Sequence, residues 1–265
     1  MGYEYIQLLI ENENGGKSTK ATLPILRNGL PVIDPYESPY QPYVAYSESN
    51  YLTVDNFINA YRHGILPWTL ASGVMWSCFQ NQGWLNPKKC TYNNSIIRSQ
   101  GHPYIVKCDT DFESIVNHCS RKGSDNEWIT KRLKTLYLDL FKAGYAHSLG
   151  VYYDDKLIGG IFFIYLYGVC IAESMFTLIS GAGKVALVRL IWQLSRLNCT
   201  FIDLRRYKDG SHIDRYGIIK GYREDYLDAL HDSLILNPSP WRFDDDLSTS
   251  YTPSEAKLMF KISQQ

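Results

Sequence analysis

From Ala146 the chain reads "AHSLGVYY", "DDK", the apolar run "LIGGIFFIYL", "YG" and then "VCIAESMF". Three β-rich segments parted only by turn residues pair most simply as an antiparallel meander, over Ala146 to Tyr153, Leu157 to Leu166 and Val169 to Phe176. Directly afterwards come "TLISGAG", a helical stripe of Leu187, Ile191, Leu194 and Leu197 within Lys184 to Leu197, and a short strand over Thr200 to Leu204. A meander followed by a helix and one more strand needs a sheet with a helix laid over it, so the class is α/β (α+β).

The glycine turn itself, Gly-Ala-Gly-Lys, suggests a phosphate-binding loop, but the spacing excludes a Walker loop. Such a loop has a Gly five positions before its Gly-Lys and a Ser or Thr after it, and here Leu178 and Val185 stand there. Strand, glycine turn, helix, strand is the core order of the GCN5-type N-acyltransferase fold, whose helix N-terminus receives the pyrophosphate of coenzyme A. The stretch from Leu178 to Gly183 keeps the G-x-G of that signature and lacks its leading Gln or Arg. Two readings stay open: backbone N–H groups and a helix dipole offered to an anion, or small residues that let a helix pack onto the sheet.

Composition narrows the setting. Of 265 residues 45% are hydrophobic and 14% aromatic, enough for one large domain or two small ones. Lys plus Arg equals Asp plus Glu at 27 each, so binding to nucleic acid or an anionic membrane has to come from a local patch. Cys78, Cys90, Cys108, Cys119, Cys170 and Cys199 are scattered, with no C-x-x-C pair and no His at zinc-ligand spacing, which predicts reduced thiols and no metal. Met1 to Ser18 is polar and carries Glu4, Glu11 and Glu13, unlike a secretory signal, and Ile6 stands where myristoylation needs Ser or Thr. The apolar run Leu157 to Ala172 is broken by Tyr165, Tyr167 and Gly168 and falls short of the roughly 20 residues of a membrane helix. A soluble, cytoplasmic protein is expected.

Ahead of the meander, the first fifty residues are rich in Pro, Tyr, Ser and Asn, which predicts extended or polyproline-type chain wrapped on a surface. From Thr53 as N-cap, Val54, Phe57, Ile58 and Tyr61 repeat at helical spacing up to Gly64, with Pro67 beyond. Helices are also expected over Asp111 to Cys119 and Thr130 to Lys142. The second turns Leu133, Leu136, Tyr137 and Leu140 inward and Lys131, Arg132 and Lys134 outward.

Seven stretches, "AYRHGILPW" (60–68), "EWIT" (127–130), "GYAHSLGVY" (144–152), "LIGG" (157–160), "ESMF" (173–176), "GKVAL" (183–187) and "FID" (201–203), fall in the order and approximate spacing of the leucyl/phenylalanyl-tRNA–protein transferases. The resemblance covers about Tyr51 to Tyr226. It implies an aminoacyltransferase that moves Leu or Phe from its tRNA to the α-amino group of a protein bearing N-terminal Arg or Lys, marking it for degradation in an N-degron pathway. It implies a GCN5-like N-acyltransferase fold with a small N-terminal domain: here 1–85 as N-terminal extension and small domain contributing to an adenosine site, 86–235 as the GCN5-like domain and 236–265 as a C-terminal extension. By the resemblance, Tyr61, Trp68 and Trp128 hold the terminal adenosine of the tRNA, stacking of this kind being worth roughly 1–3 kcal/mol per base; core packing is the alternative for each ring. Ile161, Ser174 and Phe176 would bind the apolar aminoacyl group. Glu173 would take its ammonium or the acceptor amine, or serve only as a cap or salt-bridge partner.

The implied reaction is aminolysis of an ester. In the family an Asp-x-Gln motif sits at this centre, the Gln proposed to take the proton and the Asp to polarise it, with a substrate-assisted route as the competing view. Here the motif reads Asp203-Leu204-Arg205. Arginine stays protonated and has no acceptor, so Asp203 and Glu173 remain as candidate bases. Arg205 would bind an oxyanion or phosphate, or turn the acceptor preference away from cations. "MWSC" in place of the family's Trp-Trp-Ser-Pro, and the loop "YKDGSHIDRYG", depart from the pattern as well. Contact with tRNA is expected from Lys88, Lys89, Lys131, Arg132 and Lys134, with Arg98, Arg121 and Lys122, as a basic patch between the two domains, or else these are ordinary solvated side chains. No cofactor is implied beyond aminoacyl-tRNA as co-substrate. The partners are that tRNA and a protein, peptide or small amine acceptor, with no membrane, and the chain is expected to be a monomer. Two other functions stay open: a GCN5-like N-acyltransferase using an acyl thioester, against which the incomplete signature before Gly181 and the presence of Trp68 count, and an inactive aminoacyl-tRNA-binding homologue.

Overall fold

The computed structural model describes residues 4–10, 19–27, 33–38, 42–121, 123, 128–204, 210–236 and 239–264. The chain divides into two compact units, Met1–Gln82 with Gly221–His231, and Gly83–Lys220 with Asp232–Gln265.

In the first unit, β1 (Tyr5–Ile10), β2 (Thr19–Leu26), β3 (Tyr43–Ser47), β4 (Leu66–Thr69) and β5 (Val74–Ser77) form a mixed sheet in the order β1-β2-β3-β5-β4. The first fifty residues, expected as extended or polyproline-type chain, include extended segments that pair as strands. β1 and β2 pair antiparallel from Tyr5 opposite Pro24 to Ile10 opposite Thr19, and β3 joins β2 in parallel at Ile25 and Leu26. The cause is a period-two pattern masked by the Pro-rich residues that follow: Ala21 and Leu23 are buried and Ile25 packs against them, while Thr22 and Pro24 are half-exposed. Helix α1 (Val54–Arg62) forms where expected, with the Thr53 hydroxyl accepting from the Asn56 N–H at 3.3 Å and Phe57, Ile58, Ala60 and Tyr61 buried. Residues Gly221–His231 join this unit through Arg223, whose buried guanidinium donates to the carbonyls of Pro35 and Cys78.

The helices that follow are α2 (Asn94–Ser99), α3 (Phe112–Ser120), α4 (Lys131–Lys142), α5 (Ala182–Arg196), α6 (Arg223–Ile235) and α7 (Pro253–Ile262). A second mixed sheet, most of it in the second unit, contains β6 (Asn81–Leu85), β7 (Ile105–Cys108), β8 (Ala146–Tyr153), β9 (Lys156–Tyr165), β10 (Val169–Thr177), β11 (Phe201–Asp203) and β12 (Ile219–Tyr222), in the order β12-β6-β11-β10-β9-β8-β7. The expected meander is present, β8 to β9 and β9 to β10 both antiparallel. β11 then adds in parallel to β10 across the helical crossover α5.

Alternate residues of β9 serve opposite faces. Ile161, Phe163 and Tyr165 pack with Leu187, Ile191 and Leu194 of α5. Phe162 instead meets Phe112 of α3 and Tyr137 of α4, at 6.1 and 4.9 Å between ring centroids. Helices on both faces explain why β9 reads as a continuous apolar run. Helix α5 is buried well beyond its expected stripe, every residue from Val185 to Ser195 being inaccessible, because 239–264 covers its outer side. Phe260 of α7 packs on Trp192 at 5.0 Å, and Arg196 binds Asp244 and Asp246 at 3.0 and 2.6 Å. The buried Arg189 lies 4.2 Å over the Tyr251 ring, and burial pushes its guanidinium down to about 10.

Candidate active site

β10 and β11 pair over only three positions, Val169 with Phe201, Cys170 with Ile202 and Ile171 with Asp203. β11 ends there while β10 runs on to Thr177. Where the two part lies a cavity of about 270 Å³. Its wall comprises Ala172, Glu173, Ser174 and Met175 of β10, Ile161 of β9, Leu187 of α5 and Leu204 just past β11; Arg121, at the end of α3, and Ser211, His212, Ile213 and Ile218 complete it.

Glu173 owes its position to a β-bulge. Ala172 lies opposite Phe163 and Ser174 opposite Phe162, so Glu173 is the extra residue between neighbouring partners, an arrangement that re-aims a side chain. Its carboxylate is only 4% exposed, and Oε2 accepts from the Tyr137 hydroxyl at 2.8 Å. The Tyr137 ring meets Trp128 edge-on at 6.5 Å, so Trp128 is tied to the cavity wall through one ring and one hydrogen bond. Asp203 is buried at the end of β11, opposite Trp84 of β6 and beside Leu204. Cys170 is fully buried; burial pushes its thiol far up, and Cys199, Asp203 and Glu173 push it further. Both carboxylates are thus close enough to act on one inert thiol.

His212 opens a 3-10 turn, His212–Tyr216, and is exposed to solvent. Partial desolvation, then the charges of Arg215 and Lys184, hold its imidazole below the ordinary 6.5. Sequence reasoning gave it no role, since it sits in a loop without periodicity; Met175 and Leu204, although inside quoted motifs, and Ile213 and Ile218 were likewise assigned none and come to the wall from separate segments. Of the residues expected to bind the aminoacyl group, Ile161 and Ser174 line the cavity. Phe176 is not on the cavity wall; it is stacked on His118 of α3 at 4.5 Å and 13°. Trp68, in the first unit, is 37% exposed; its indole donates to the Ser77 hydroxyl at 2.7 Å and lies edge-on to Phe79. Tyr61 is buried against Phe57, ring centroids 4.0 Å apart.

Arg205 lies outside the described residues, as do Lys122, Glu127 and Lys208. Lys89, Arg98, Lys131 and Arg132 are exposed. Lys134 pairs with Glu113 at 2.8 Å, and Lys88 is half-buried on the wall of a second cavity of about 340 Å³ beside Trp192 and Arg196. Arg121, grouped by sequence with the basic patch, lines the first cavity instead.

The glycine turn takes its shape from packing. Gly181 caps α5 at φ +92°, and a Cβ on Gly183 would run into the Thr177 hydroxyl and reach 3.1 Å from Met175 Sδ. Small residues there let the first turn of α5 lie directly on β10. Lys184 is engaged with the Ser95 hydroxyl at 2.9 Å.

Among the described residues no cluster of three or more His, Cys, Asp or Glu is placed to hold a metal ion, and no helix is long and apolar enough to cross a membrane. All six cysteines are free.

Comparison with known proteins supplies the class to which this cleft belongs. The family model described as leucyl/phenylalanyl-tRNA protein transferase matches residues 84–231. A leucyl/phenylalanyl-tRNA–protein transferase of Thermodesulfovibrio yellowstonii is 30% identical over 212 residues, spanning 78% of this chain and 85% of that protein. Proteins of the same name from Xanthomonas campestris pv. campestris and Thiobacillus denitrificans are 32% and 31% identical, spanning 69% and 73% of this chain and 75% and 86% of their own lengths. A solved structure, a functionally unknown conserved protein from Staphylococcus epidermidis, aligns with 54% of this chain and 59% of its own at 8% identity and a TM-score of 0.34, a likeness too loose to carry an argument. The chain is an aminoacyltransferase. It belongs to the leucyl/phenylalanyl-tRNA protein transferase family.

Proposed function

We propose that this chain transfers a leucyl or phenylalanyl group from its tRNA to the amino group of a protein or peptide. The observation that carries the reading is the apolar cavity where β10 and β11 part, with the buried Glu173 on its wall. At about 270 Å³ it is smaller than the ~300–1,000 Å³ of sites for drug-sized ligands, and suits a single amino-acid side chain. Ile161, Met175, Leu187, Leu204, Ile213 and Ile218 reward a large apolar group, and a charged one is rejected by its desolvation cost. Glu173, oriented by Tyr137, takes the ammonium of the aminoacyl group. The ester is already reactive, so positioning supplies most of the rate.

The remaining assignments rest on the family resemblance. The larger unit is a GCN5-like acyltransferase domain. Trp68 and Trp128 stack on the terminal adenosine, and Tyr61 supports the fold around Trp68. Asp203 acts on developing charge, and Lys88, Lys89, Lys131, Arg132 and Lys134 meet tRNA phosphates. The protein works in the cytoplasm as a monomer with aminoacyl-tRNA as co-substrate and no further cofactor. Arg205 in place of the family Gln turns the acceptor preference from N-terminal Arg and Lys towards an acceptor carrying carboxylate or phosphate, because fixed like charges repel in a partly desolvated site.

The test is incubation with radiolabelled Leu-tRNA or Phe-tRNA and a panel of peptides. Label is expected to pass to Asp- or Glu-initiated peptides ahead of Arg-initiated ones, with Arg205→Gln reversing the ratio. Efficient labelling of Arg-initiated peptides by the unmodified protein shows that Arg205 lies outside the acceptor pocket. Donor binding without transfer to any acceptor marks an inactive homologue, and acyl transfer from a thioester alone marks the other acyltransferase class.

A further inference from the structure

Resting on that reading, we propose that His212 is the base that receives the proton of the acceptor amine in this chain. Three observations converge on it. First, His212 stands on the wall of the cavity assigned to the aminoacyl group, together with Glu173 and Leu204, and it is open to solvent. A proton acceptor needs both reach to the reacting nitrogen and an exit for the proton. Second, the two carboxylates nearby are poorly placed for proton transfer, since Glu173 is buried with one oxygen held by Tyr137 and Asp203 is buried at a strand end. Third, the residue that follows Leu204 of the wall in the sequence is Arg205, which has no lone pair to offer.

The surroundings of the imidazole suit a base at neutral pH. Desolvation, Arg215 on the same turn and Lys184 on α5 favour the neutral ring, and Arg121 on the cavity wall adds a further cation. The carboxylate of Glu173 on that wall acts in the opposite sense. A neutral imidazole has one ring nitrogen with a free lone pair.

The step balances as follows. The acceptor amine, having lost its extra proton to solvent, attacks the ester carbonyl carbon. As the C–N bond forms, an N–H proton passes to the free imidazole nitrogen. As the bond between carbonyl carbon and ribose oxygen breaks, that proton passes from the imidazolium to the ribose oxygen. The products are an amide and deacylated tRNA, and the imidazole ends neutral.

The experiment measures single-turnover transfer from Leu-tRNA to a peptide by the full chain and by His212→Ala and His212→Gln, alongside binding of an aminoacyl-adenosine analogue. Loss of a general base predicts a rate lower by about 10²–10⁴-fold in both variants with donor affinity unchanged. Free imidazole should restore part of the rate in His212→Ala, and the acidic limb of the pH–rate profile should fall in slope from two protons to one, the remaining proton being that of the acceptor ammonium. A His212→Ala variant that transfers at the wild-type rate, or one that loses rate without rescue and keeps the two-proton slope, overturns the assignment. Absence of any transfer by the unmodified protein refutes the parent reading instead, and the base assignment falls with it.

Discussion

Replacing Gly159 by Ala tests whether small residues seat α5 on the sheet and so shape the cavity. Gly159 lies in β9 opposite Val151 and Thr177. A Cβ there would stand 2.6 Å from the Ala182 Cβ and 3.3 Å from both the Ala182 carbonyl carbon and the Phe176 carbonyl oxygen. The last two are backbone atoms and cannot rotate away. Carbon pairs are at ease at about 3.5–4.0 Å, so the first turn of α5 has to lift. Overpacking by a methyl costs about 1–3 kcal/mol, and Ala recovers roughly 0.5–1 kcal/mol of the entropy that Gly loses in a strand. The net is a loss of about 0.5–2 kcal/mol, or ~1–8 °C in Tm for a chain of this size. Leu187 rides on α5 and lines the cavity, so KM for the aminoacyl donor should rise as well. Thermal melts followed by circular dichroism check the stability, with Gly159→Ala/Ala182→Gly as the control: removing the Ala182 Cβ relieves the contact, and the double variant should melt above the Gly159→Ala variant despite the added helical Gly. A single variant with wild-type Tm, or a double variant that melts lower than the single one, refutes the packing argument.

Three further outcomes are expected. Trp68→Ala should weaken binding of an aminoacyl-adenosine analogue by about 1–3 kcal/mol, measured by calorimetric titration; unchanged affinity with the fold intact removes Trp68 from the donor site. Asp203→Asn should lower kcat by about tenfold or more at constant donor affinity, and a wild-type single-turnover rate would show the carboxylate to be structural. Arg196 holds Asp246 below the ordinary carboxylate value of 3.8, chiefly by side-chain hydrogen bonding. A depressed carboxylate binds fewer protons folded than unfolded, so its stabilisation is complete above 3.8 and fades as pH falls through the lower folded value. Arg196→Met should therefore flatten the acid limb of stability, read from melts between about pH 5 and pH 2. The effect should be small and salt-sensitive because Asp246 is 55% exposed.

Legibility in the sequence followed the range of the interactions. The meander, its turns and α1, α3, α4 and α5 answer to local rules of period, cap and turn, and their positions agree with the structure to within a residue or two at most ends. Thr53 caps α1 as expected, accepting from Asn56, and Thr130, expected as the first residue of α4, is its cap and accepts from Leu133. The first sheet was not legible because the alternation in "TKATLPIL" is short, interrupted by Pro24 and followed by a Pro-rich stretch. Nor could burial around α5 be read from its own period, since the Arg189 and Arg196 sides are covered by 239–264, far away in sequence. In the site, Glu173 was found through a motif, but the reason for its direction, a bulge, depends on the register with β9 and leaves no local mark. Phe176, only three residues further along, stacks on His118 of α3 and does not reach the cavity wall, a contact between distant segments that also leaves no local mark.

The cavity also binds two departures of this sequence into one structural question. Leu204 forms part of its wall, and the chain returns to that wall at Ser211, His212 and Ile213. Arg205 follows Leu204 directly in the sequence, so the first departure stands one residue along the chain from the wall. A change of Gln to Arg at that position removes an acceptor and adds a cation, which by itself disfavours both proton transfer and a cationic acceptor. An imidazole where the chain comes back to the same wall answers the first loss without reversing the second. On the proposed reading the chain retains aminolysis and differs in what it aminoacylates. The acceptor panel and the His212 variants therefore examine separate consequences of one segment: the panel reads its charge, and the variants read its base.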